Sequence, residues 1–454
     1  MKDGLLILSE KTREELIETI LRQQKEIEAL KKKLGDKEQT DLRKKFLRLQ
    51  RLAQRVKRVQ RPGQKVGHIG LTRIKPRQID RVVEQTLKVC PDCQQRLSAS
   101  QEVVEHIQED IIPAHPQVTL FKKRRYWCQD CRKLVSAGYA ADEVPHGYLG
   151  PNVLIQTLIL KYHHGLPFNK IRELFESLCH FKVSQGALAQ ALQRISQWLG
   201  VEADQILAAV RASPHIHMDE TGWKISGSNH WLWAAVNGRL AYYRIAKSRG
   251  AKVAKEIIPK DYSGILVTDF YAAYNGLPGK KQKCLVHLMR EMHSLYLKDS
   301  SEAFAEAHKK LKRIIADALR LKDLRPGMVA AVYERRFWRL KQRLFVWSSK
   351  PYRNKHLVRL SKRFLSHWLH LLTFLECPDI SFNNNLAERM IRHHVILRNR
   401  SFQNRSQKGA HAHEVLMSLL HTLQLQGGEV ISSLKTAYLA HRQGFLAPQL
   451  QWAK

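Results

Sequence analysis

The sequence has no apolar run long enough to cross a membrane. A membrane-spanning helix needs about 20 consecutive apolar residues, and no apolar run in this 454-residue chain approaches that length. The run Leu5-Leu6-Ile7-Leu8 is also too short for the apolar part of a secretory signal, and acidic residues flank it. The sequence therefore predicts a cytoplasmic, nucleoid-associated protein with no membrane partner.

Acidic residues are few relative to basic ones. The chain has 41 Asp and Glu against 77 Lys and Arg, which gives a formal net charge of +36. A charge of this size favours a polyanionic partner, because basic side chains that neutralise phosphates release bound counterions. We therefore expect nucleic acid, rather than a membrane, to be the partner. The length allows roughly two to four domains.

Cysteines are also scarce, and their spacing is informative. The chain has seven, and four of them form two C-x-x-C pairs, Cys90 with Cys93 and Cys128 with Cys131. In a reducing compartment such pairs indicate a metal before a disulfide. Four thiolates from two tight turns would hold Zn²⁺ in a closed tetrahedral site, which is typical of a structural role. A strand from Val118 to Trp127 is predicted to lead into the second pair.

The amino-terminal part contains two predicted segments. A helix from Arg13 to Leu34 carries apolar residues at coiled-coil spacing, which fits either a short dimerising coiled coil or a helix docked on its own chain. From Arg43 to Arg77 the chain is densely basic, and Gly and Pro break the second half. This segment is either a DNA-binding arm, which the charge favours, or a solvated linker. The predicted DNA contacts here are Arg55, Lys57, Arg58, Arg61, Lys65 and Arg73.

Residues 151–200 predict three helices, the third capped by Ser184. The arrangement is similar to a helix-turn-helix, yet the third helix has few basic residues. Both a base-reading module and a purely structural one fit this pattern.

After Pro214 the pattern changes to strands. Three predicted strands, 215–225, 230–236 and 240–245, are followed by a helix and by the apolar strand 264–269. This order is that of the ribonuclease H-like fold, in which the first and fourth strands lie side by side. Asp219 and Asp269 would then meet at the sheet.

A third acidic residue, Glu388, lies in a predicted helix. Carboxylate oxygens suit Mg²⁺, so three acids on a strongly basic chain suggest a divalent-metal site that acts on a polyanion. Glu388 is therefore either a third metal ligand, after Asp219 and Asp269, or the glutamate of a capping box that begins at Asn385. Arg389 and Arg392 share a helix face suited to phosphate. Further basic residues that we expect to hold DNA near the metals are Arg398, Arg400, Arg405 and Lys408, and an amphipathic helix is predicted from about Ala410. Glu414 and Glu376 are the rivals for the third carboxylate.

The chain resembles transposases of the insertion sequence 66 family. The resemblance rests on His217-Met218-Asp219-Glu220-Thr221, on Thr268-Asp269-Phe270-Tyr271-Ala272-Ala273-Tyr274 and on Asn384-Asn385-Leu386-Ala387-Glu388-Arg389-Met390-Ile391-Arg392. These motifs occur in the family's order, and the upstream segments are similar too. The chain departs from the family pattern at Asn383, usually Asp, at Phe270, usually Gly, and after the cysteine pairs, where Gln94 and Arg132 replace Gly.

The resemblance implies a DDE enzyme whose catalytic, metal-binding triad is Asp219, Asp269 and Glu388. Two Mg²⁺ (or Mn²⁺) ions would activate water to cut the element's ends in double-stranded DNA, and the freed 3′-OH would attack target DNA. A homodimer or higher oligomer is expected, since two ends must come together, and accessory proteins of the same element are possible partners. Cys284 and His287 match a C-x-x-H found in similar transposases and are interpreted as architectural or substrate-positioning.

The predicted fold is multidomain α+β. The predicted domains are a coiled-coil helix (1–40), a basic arm (41–85), a zinc-binding domain (86–140), a helical domain (141–212), a first core segment (213–298), an all-α insertion (299–380) and a second core segment with carboxy-terminal helices (381–454). Two other functions fit the same sequence: a non-enzymatic zinc-containing DNA-binding repressor, and a structure-specific nuclease on the same fold.

Overall fold

The computed structural model describes residues 22, 78–100, 102–103, 106–109, 111, 114–144, 147–299, 301–401, 403–445 and 449–452. The chain forms two compact units, Met1–Ile107 and Gln108–Lys454. Apart from Arg22, which is helical, the predicted coiled coil and residues 41–77 of the basic arm, with all six proposed DNA contacts, lie outside the described residues. None of the helices in the described ranges combines the length and apolarity that a membrane span requires.

Each cysteine pair sits at a tight turn. In the first unit, Gln94 N donates to Cys90 O at 2.9 Å, and Val89 bridges Arg96. In the second, strands β1 (Arg125–Cys128) and β2 (Lys133–Ser136) form an antiparallel hairpin. The predicted strand was expected to begin at Val118, but β1 begins at Arg125. The prediction was wrong here because β2 has only four residues that pair with β1.

Helices open the second unit after this hairpin. They are α1 (Pro151–Leu158), a π-helical turn (Ile159–His163), α2 (Phe168–Cys179), α3 (Gln185–Trp198) and α4 (Gly200–Arg211). The Ser184 hydroxyl caps α3 by accepting a hydrogen bond from Ala187 N at 3.1 Å, as predicted. The three predicted helices are confirmed, and α4 was not anticipated.

A five-stranded mixed sheet forms the centre of the second unit. Its strands are β3 (His215–Ile225), β4 (Ser228–Val236), β5 (Ala241–Ala246), β6 (Ile265–Thr268) and β7 (Lys280–Lys283), with α5 (Ala251–Ile257) between β5 and β6. The spatial order is β5-β4-β3-β6-β7. β3 is antiparallel to β4 and parallel to β6, so the predicted adjacency of the first and fourth strands is confirmed.

Strand β7 was missed because its sequence, Lys-Lys-Gln-Lys, looks like an exposed basic patch. In the structure Lys281, Gln282 and Lys283 are buried. The Lys281 ammonium donates to Leu277 O at 2.7 Å, and the Gln282 amide donates to Leu371 O at 3.0 Å. Backbone carbonyls therefore satisfy the polar groups that a strand of this composition buries.

A helical segment follows β7, as predicted for residues 299–380. It contains α6 (Leu285–Tyr296), α7 (Glu302–Leu324), α8 (Ala330–Ser349), α9 (Lys355–His367) and α10 (Thr373–Glu376). Alternate residues of β6 face different cores, since Ile265 and Val267 pack with this segment and Leu266 packs on the other side. The segment's two ends meet where Leu285 N donates to Phe382 O at 2.9 Å.

The chain ends with α11 (Asn385–Ser401), α12 (Gln407–Leu425) and α13 (Val430–Arg442). The prediction that α12 is amphipathic was wrong, because its residues from Ala412 to Leu423 are all buried. The helix packs between β5 and the amino-terminal helices, so it has no solvent-facing side along this stretch.

Helix α12 also closes the free edge of the sheet at β5. The backbone N–H groups of Ala241, Tyr243 and Ile245 donate to side chains of α12, at 3.0, 3.0 and 2.5 Å. The acceptors are Thr422, Ser418 and Glu414, which lie four residues apart on one helix face. Alternate strand residues point their N–H groups the same way, so one helix face satisfies the whole edge.

We expect Ser418→Ala to lower the free energy of unfolding by about 1–3 kcal/mol, because the Tyr243 N–H is left buried without an acceptor. Urea unfolding measures this loss. Ser432→Ala, which removes an exposed hydroxyl bonded to Glu429 O, is the control and should stay within about 0.5 kcal/mol of the parent. Equal effects of the two substitutions would contradict the role of Ser418.

Candidate active site

Two acidic side chains, Asp219 and Asp269, lie just beyond the paired residues of the parallel strands β3 and β6. His217 is in register with Val267, so Asp219 and Asp269 lie two residues further along their respective chains. Since side chains two residues apart point to the same face, the two aspartates share one face. Neighbouring strands are about 4.8 Å apart. Asp219 is still in β3, whereas Asp269 begins the loop after β6.

Backbone N–H groups orient both carboxylates. Glu220 N donates to Asp219 Oδ1 at 2.9 Å, and Tyr271 N donates to Asp269 Oδ1 at 2.8 Å. Burial, followed by the charges of Glu220 and Asp269, raises the pKa of Asp219 to about 7, and the charge of Glu388 acts in the same direction. The three proposed triad members therefore share one electrostatic environment.

Asn384 connects the Glu388 helix to this sheet. This residue is fully buried, and its side-chain amide donates to Met218 O at 2.8 Å. Its amide oxygen lies 3.2 Å from His217 Nδ1, and its backbone N–H donates to Cys284 Sγ at 3.2 Å. One side chain thus ties the start of α11 to β3, directly beside Asp219.

Glu388 does not cap its own helix. Its backbone N–H donates to Asn384 O at 3.1 Å, so it belongs to the first turn. The carboxylate instead faces α6, with Oε1 3.6 Å from His287 Nδ1 and Oε2 3.6 Å from Arg290. Oε1 is buried and accepts no hydrogen bond. The capping-box interpretation is wrong, because the Asn385 N–H donates to Asn383 Oδ1 at 2.9 Å and not to the Glu388 carboxylate.

The two other candidates for the third carboxylate, Glu414 and Glu376, form contacts in other parts of the structure. Glu414 accepts the Ile245 N–H on the far edge strand. Glu376 forms an ion pair with Lys341 at 2.9 Å and lies 3.7 Å from Lys280. Neither carboxylate contributes to the raised pKa of Asp219.

A network around Glu220 was not predicted from the sequence. The Glu220 side chain is almost fully buried and binds the Arg249 guanidinium through two nitrogens, at 2.9 and 2.7 Å. The hydroxyl of Tyr274 donates to its other oxygen. The guanidinium lies over the rings of Trp231 and Tyr271, 4.5 and 4.1 Å from their centroids. Tyr271 also orients Asp269, so this network braces both aspartates.

Two further buried polar residues near the aspartates, Lys283 and His217, were also not predicted from the sequence. The Lys283 ammonium donates to Asp269 O at 2.8 Å, and burial lowers its pKa to about 8. His217 is buried, which lowers its pKa to about 4. A neutral imidazole is therefore expected at neutral pH, and its contact with Asn384 then depends on one tautomer.

The predicted DNA-binding residues of α11 and the following turn fall into two groups. Arg389, Arg392, Arg405 and Lys408 are exposed. Arg398 instead donates from Nη1 to Thr221 Oγ1 at 3.0 Å and to Gly222 O at 2.5 Å, which fixes α11 on β3. Arg400 is exposed and donates to His164 O at 3.2 Å.

The first cysteine pair belongs to the unit Met1–Ile107, and the second belongs to the unit Gln108–Lys454. Hydrogen bonds from the backbone of Cys93 and Asp92 lower the pKa of the Cys90 thiol. In the second pair, hydrogen bonds from Cys131 lower the pKa of Cys128. Gln94 and Arg132, at the positions where the related pattern has Gly, adopt left-handed φ angles of 58° and 47°.

Comparison with protein families places the chain among the transposases, a class of DNA-processing enzyme. The chain belongs to the transposase IS66 family, whose family model matches residues 146–412, more than half of the sequence.

Similar chains occur in Sinorhizobium fredii (strain NBRC 101917 / NGR234). The uncharacterized protein y4jD is 25% identical over 386 residues, which cover 77% of this chain and 73% of the relative. The uncharacterized protein y4qI is 25% identical over 377 residues, covering 75% and 69%. The uncharacterized protein y4hP is 24% identical over 388 residues, covering 76% and 69%.

We expect Asp219→Asn to stabilise the protein at pH 8 without divalent ions. Folding raises the pKa of Asp219 to about 7, so the folded protein holds a proton that the unfolded chain has already released. This proton stabilises the fold at low pH, and the stabilisation is lost as the pH rises through 7. Removing the charge should raise the free energy of unfolding by about 1–3 kcal/mol at pH 8, and by much less at pH 4. Urea unfolding in EDTA measures this, with the exposed Asp261→Asn as control. A gain in the free energy of unfolding that is the same at pH 4 and pH 8 would contradict the raised pKa of Asp219.

Arg249→Gln should destabilise the fold by about 1–3 kcal/mol, because buried Glu220 loses its cation while the half-exposed arginine site admits water. Arg244→Gln is the matched control, since this side chain contacts Glu414 at 3.4 Å from a more exposed position. Its effect should stay below about 1 kcal/mol. Unfolding at pH 7 compares the two, and an equal loss would show that Glu220 does not depend on Arg249.

Proposed function

We propose that this chain is a DDE transposase with a ribonuclease H-like core, which cuts the ends of its insertion element and joins the 3′-OH to target DNA. The observation that carries the proposal is the parallel register of β3 and β6, which places Asp219 and Asp269 on one face of the sheet, with Asn384 tying the Glu388 helix to β3. Membership of the transposase family supplies the substrate class. The proposed catalytic residues are these three carboxylates.

The donor set fits Mg²⁺ or Mn²⁺. Asp219 and Asp269 each use one oxygen to accept a backbone N–H, which fixes the carboxylates and leaves the second oxygen for a cation. Glu388 brings a buried oxygen that has no hydrogen-bond partner. Carboxylate oxygens are the ligands that such ions prefer, and the raised pKa of Asp219 marks a place where added positive charge is favourable.

In the proposed reaction the protein positions the groups and balances their charge. When bound, the metal ions supply Lewis-acid activation of the attacking oxygen and stabilise the leaving oxygen. The N–H groups of Glu220 and Tyr271 hold the aspartates in place, and the Arg249 network keeps the Tyr271 loop against the sheet. Asn384 keeps α11, and with it Glu388, beside β3. This preorganisation reduces the rearrangement needed during the reaction.

The basic residues near the acids and the cysteine pairs also have roles in the proposed function. The exposed residues Arg389, Arg392, Arg405 and Lys408 neutralise the DNA backbone close to the acids. Arg398 and Arg400 act mainly by fixing α11 through their contacts with β3 and His164. The cysteine pairs hold structural Zn²⁺, and lowered thiol pKa values favour the thiolate that the ion requires. The active form is a homodimer or higher oligomer that brings two DNA ends together, with accessory proteins of the element as further candidate partners.

Asp219→Asn, Asp269→Asn and Glu388→Gln should each reduce Mg²⁺-dependent cleavage of a labelled duplex carrying the element's ends by at least about a hundredfold. Each removes a carboxylate charge and keeps the side chain's size. Glu376→Gln is the control, because this rival acid is ion-paired with Lys341 and should remain dispensable for cleavage.

Two assays separate the alternatives. Joined products in a strand-transfer assay support a transposase, whereas cleavage without joining indicates a nuclease. End binding that is unchanged by EDTA, with no cleavage by the parent protein, would indicate a DNA-binding repressor. Full cleavage by either aspartate variant would overturn the triad.

A further inference from the structure

Three side chains that can bind metal meet at Glu388, which brings its buried oxygen Oε1 to both proposed sites. Ligand atoms of Cys284, His287 and Glu388 all lie within 4.8 Å of one another. Cys284 precedes α6 and His287 lies in its first turn, whereas Glu388 comes from the first turn of α11. The Leu285–Phe382 backbone hydrogen bond and Asn384 hold the two helix starts together.

Two polar atoms in this cluster, one from His287 and one from Glu388, lack the hydrogen-bond partners that burial normally requires. His287 Nδ1 and Glu388 Oε1 are both buried, neither has a hydrogen-bond partner, and they face each other at 3.6 Å. Ligand atoms around a tetrahedral zinc ion stand about 3.3–3.8 Å apart, given bonds of about 2.0–2.3 Å. The observed separation of these two atoms therefore leaves room for one ion between them.

The thiol completes a donor set that differs from the aspartate pair. Cys284 is fully buried, and its sulfur accepts the Asn384 N–H at 3.2 Å, which fixes the sulfur beside the start of α11. A thiolate and an imidazole select Zn²⁺-like ions, whereas Mg²⁺ prefers oxygen ligands. Arg290, which lies 3.6 Å from Glu388 Oε2, is 59% exposed and free to move into solvent.

We propose that Cys284, His287 and Glu388 form a binding site for a single thiophilic divalent cation of the Zn²⁺ type, with its fourth coordination position open to water or a phosphate oxygen. The competing interpretation is that Cys284 and His287 only support the packing of α6. The site would be separate from the cysteine pairs near residues 90 and 130. It does not depend on the proposed Mg²⁺ chemistry, although it uses the same glutamate.

Cobalt titration of the full-length protein tests this proposal. Co²⁺ reports thiolate ligation through a near-ultraviolet charge-transfer band, and equilibrium dialysis gives the number of ions bound. We expect Cys284→Ser to bind one Co²⁺ fewer per chain than the parent, with a correspondingly weaker band. Cys377→Ser, which changes a half-buried cysteine outside the cluster, is the control and should match the parent. Equal binding by the parent and Cys284→Ser would overturn the proposal.

A second variant covers the case in which Cys284→Ser does not fold. Glu388→Gln keeps the thiol and the imidazole but removes the carboxylate charge. It should weaken binding of this one ion at least about tenfold, and the thiolate band should reappear at higher Co²⁺. An unchanged affinity would count against Glu388 as a ligand and against the site.

Failure of the cobalt site and failure of the proposed function give different results. The double variant Asp219→Asn, Asp269→Asn should keep the Co²⁺–thiolate band that depends on Cys284, since neither aspartate belongs to the cluster. Its cleavage activity and any loss of Co²⁺ without loss of that band test only the catalytic triad. Loss of the Cys284-dependent band from this double variant would overturn the separate site.

Discussion

The parallel pairing of β3 with β6 is the constraint on which the site depends. It holds two aspartates on one face of the sheet at partly buried positions, where their like charges repel. Two backbone N–H groups, from Glu220 and Tyr271, offset part of that repulsion and fix both carboxylates. The surrounding bonds of Glu220, Arg249 and Tyr274 hold the strand end and the following loop in this costly arrangement, as is typical of sites that bind cations.

A single buried amide then sets where the third carboxylate lies. Asn384 contacts His217, Met218 and Cys284, so β3, α6 and α11 converge at one side chain. Glu388, four residues later, faces His287 at 3.6 Å, and its charge raises the pKa of Asp219. One carboxylate therefore acts on both the aspartate pair and the Cys284–His287 pair.

Local sequence patterns predicted the strands whose residues are apolar or alternate between apolar and polar. These patterns did not predict a strand whose polar residues are buried. β6 was predicted from its apolar run, whereas β7 was missed because buried lysines look exposed until the carbonyls that bind them are known. The Glu388 capping box was a sound local expectation, but tertiary contacts with α6 decided otherwise. Arg249 carried no motif, since its role depends on stacking between rings from β4 and the loop after β6. Asp219 and Asp269 were recognisable because the first lies within a predicted strand and the second directly follows an apolar one.

The helical segment from α6 to α10 leaves and rejoins the core at the Leu285–Phe382 hydrogen bond. An excursion whose two ends meet can change in length at little entropic cost, because loop closure varies slowly with the number of residues enclosed. Evolution can therefore enlarge, shrink or exchange this module between relatives without moving the strands that carry the aspartates. Length variation among distant members should accordingly concentrate between residues 285 and 382, and a deletion trimmed to those two positions offers a natural boundary for protein engineering.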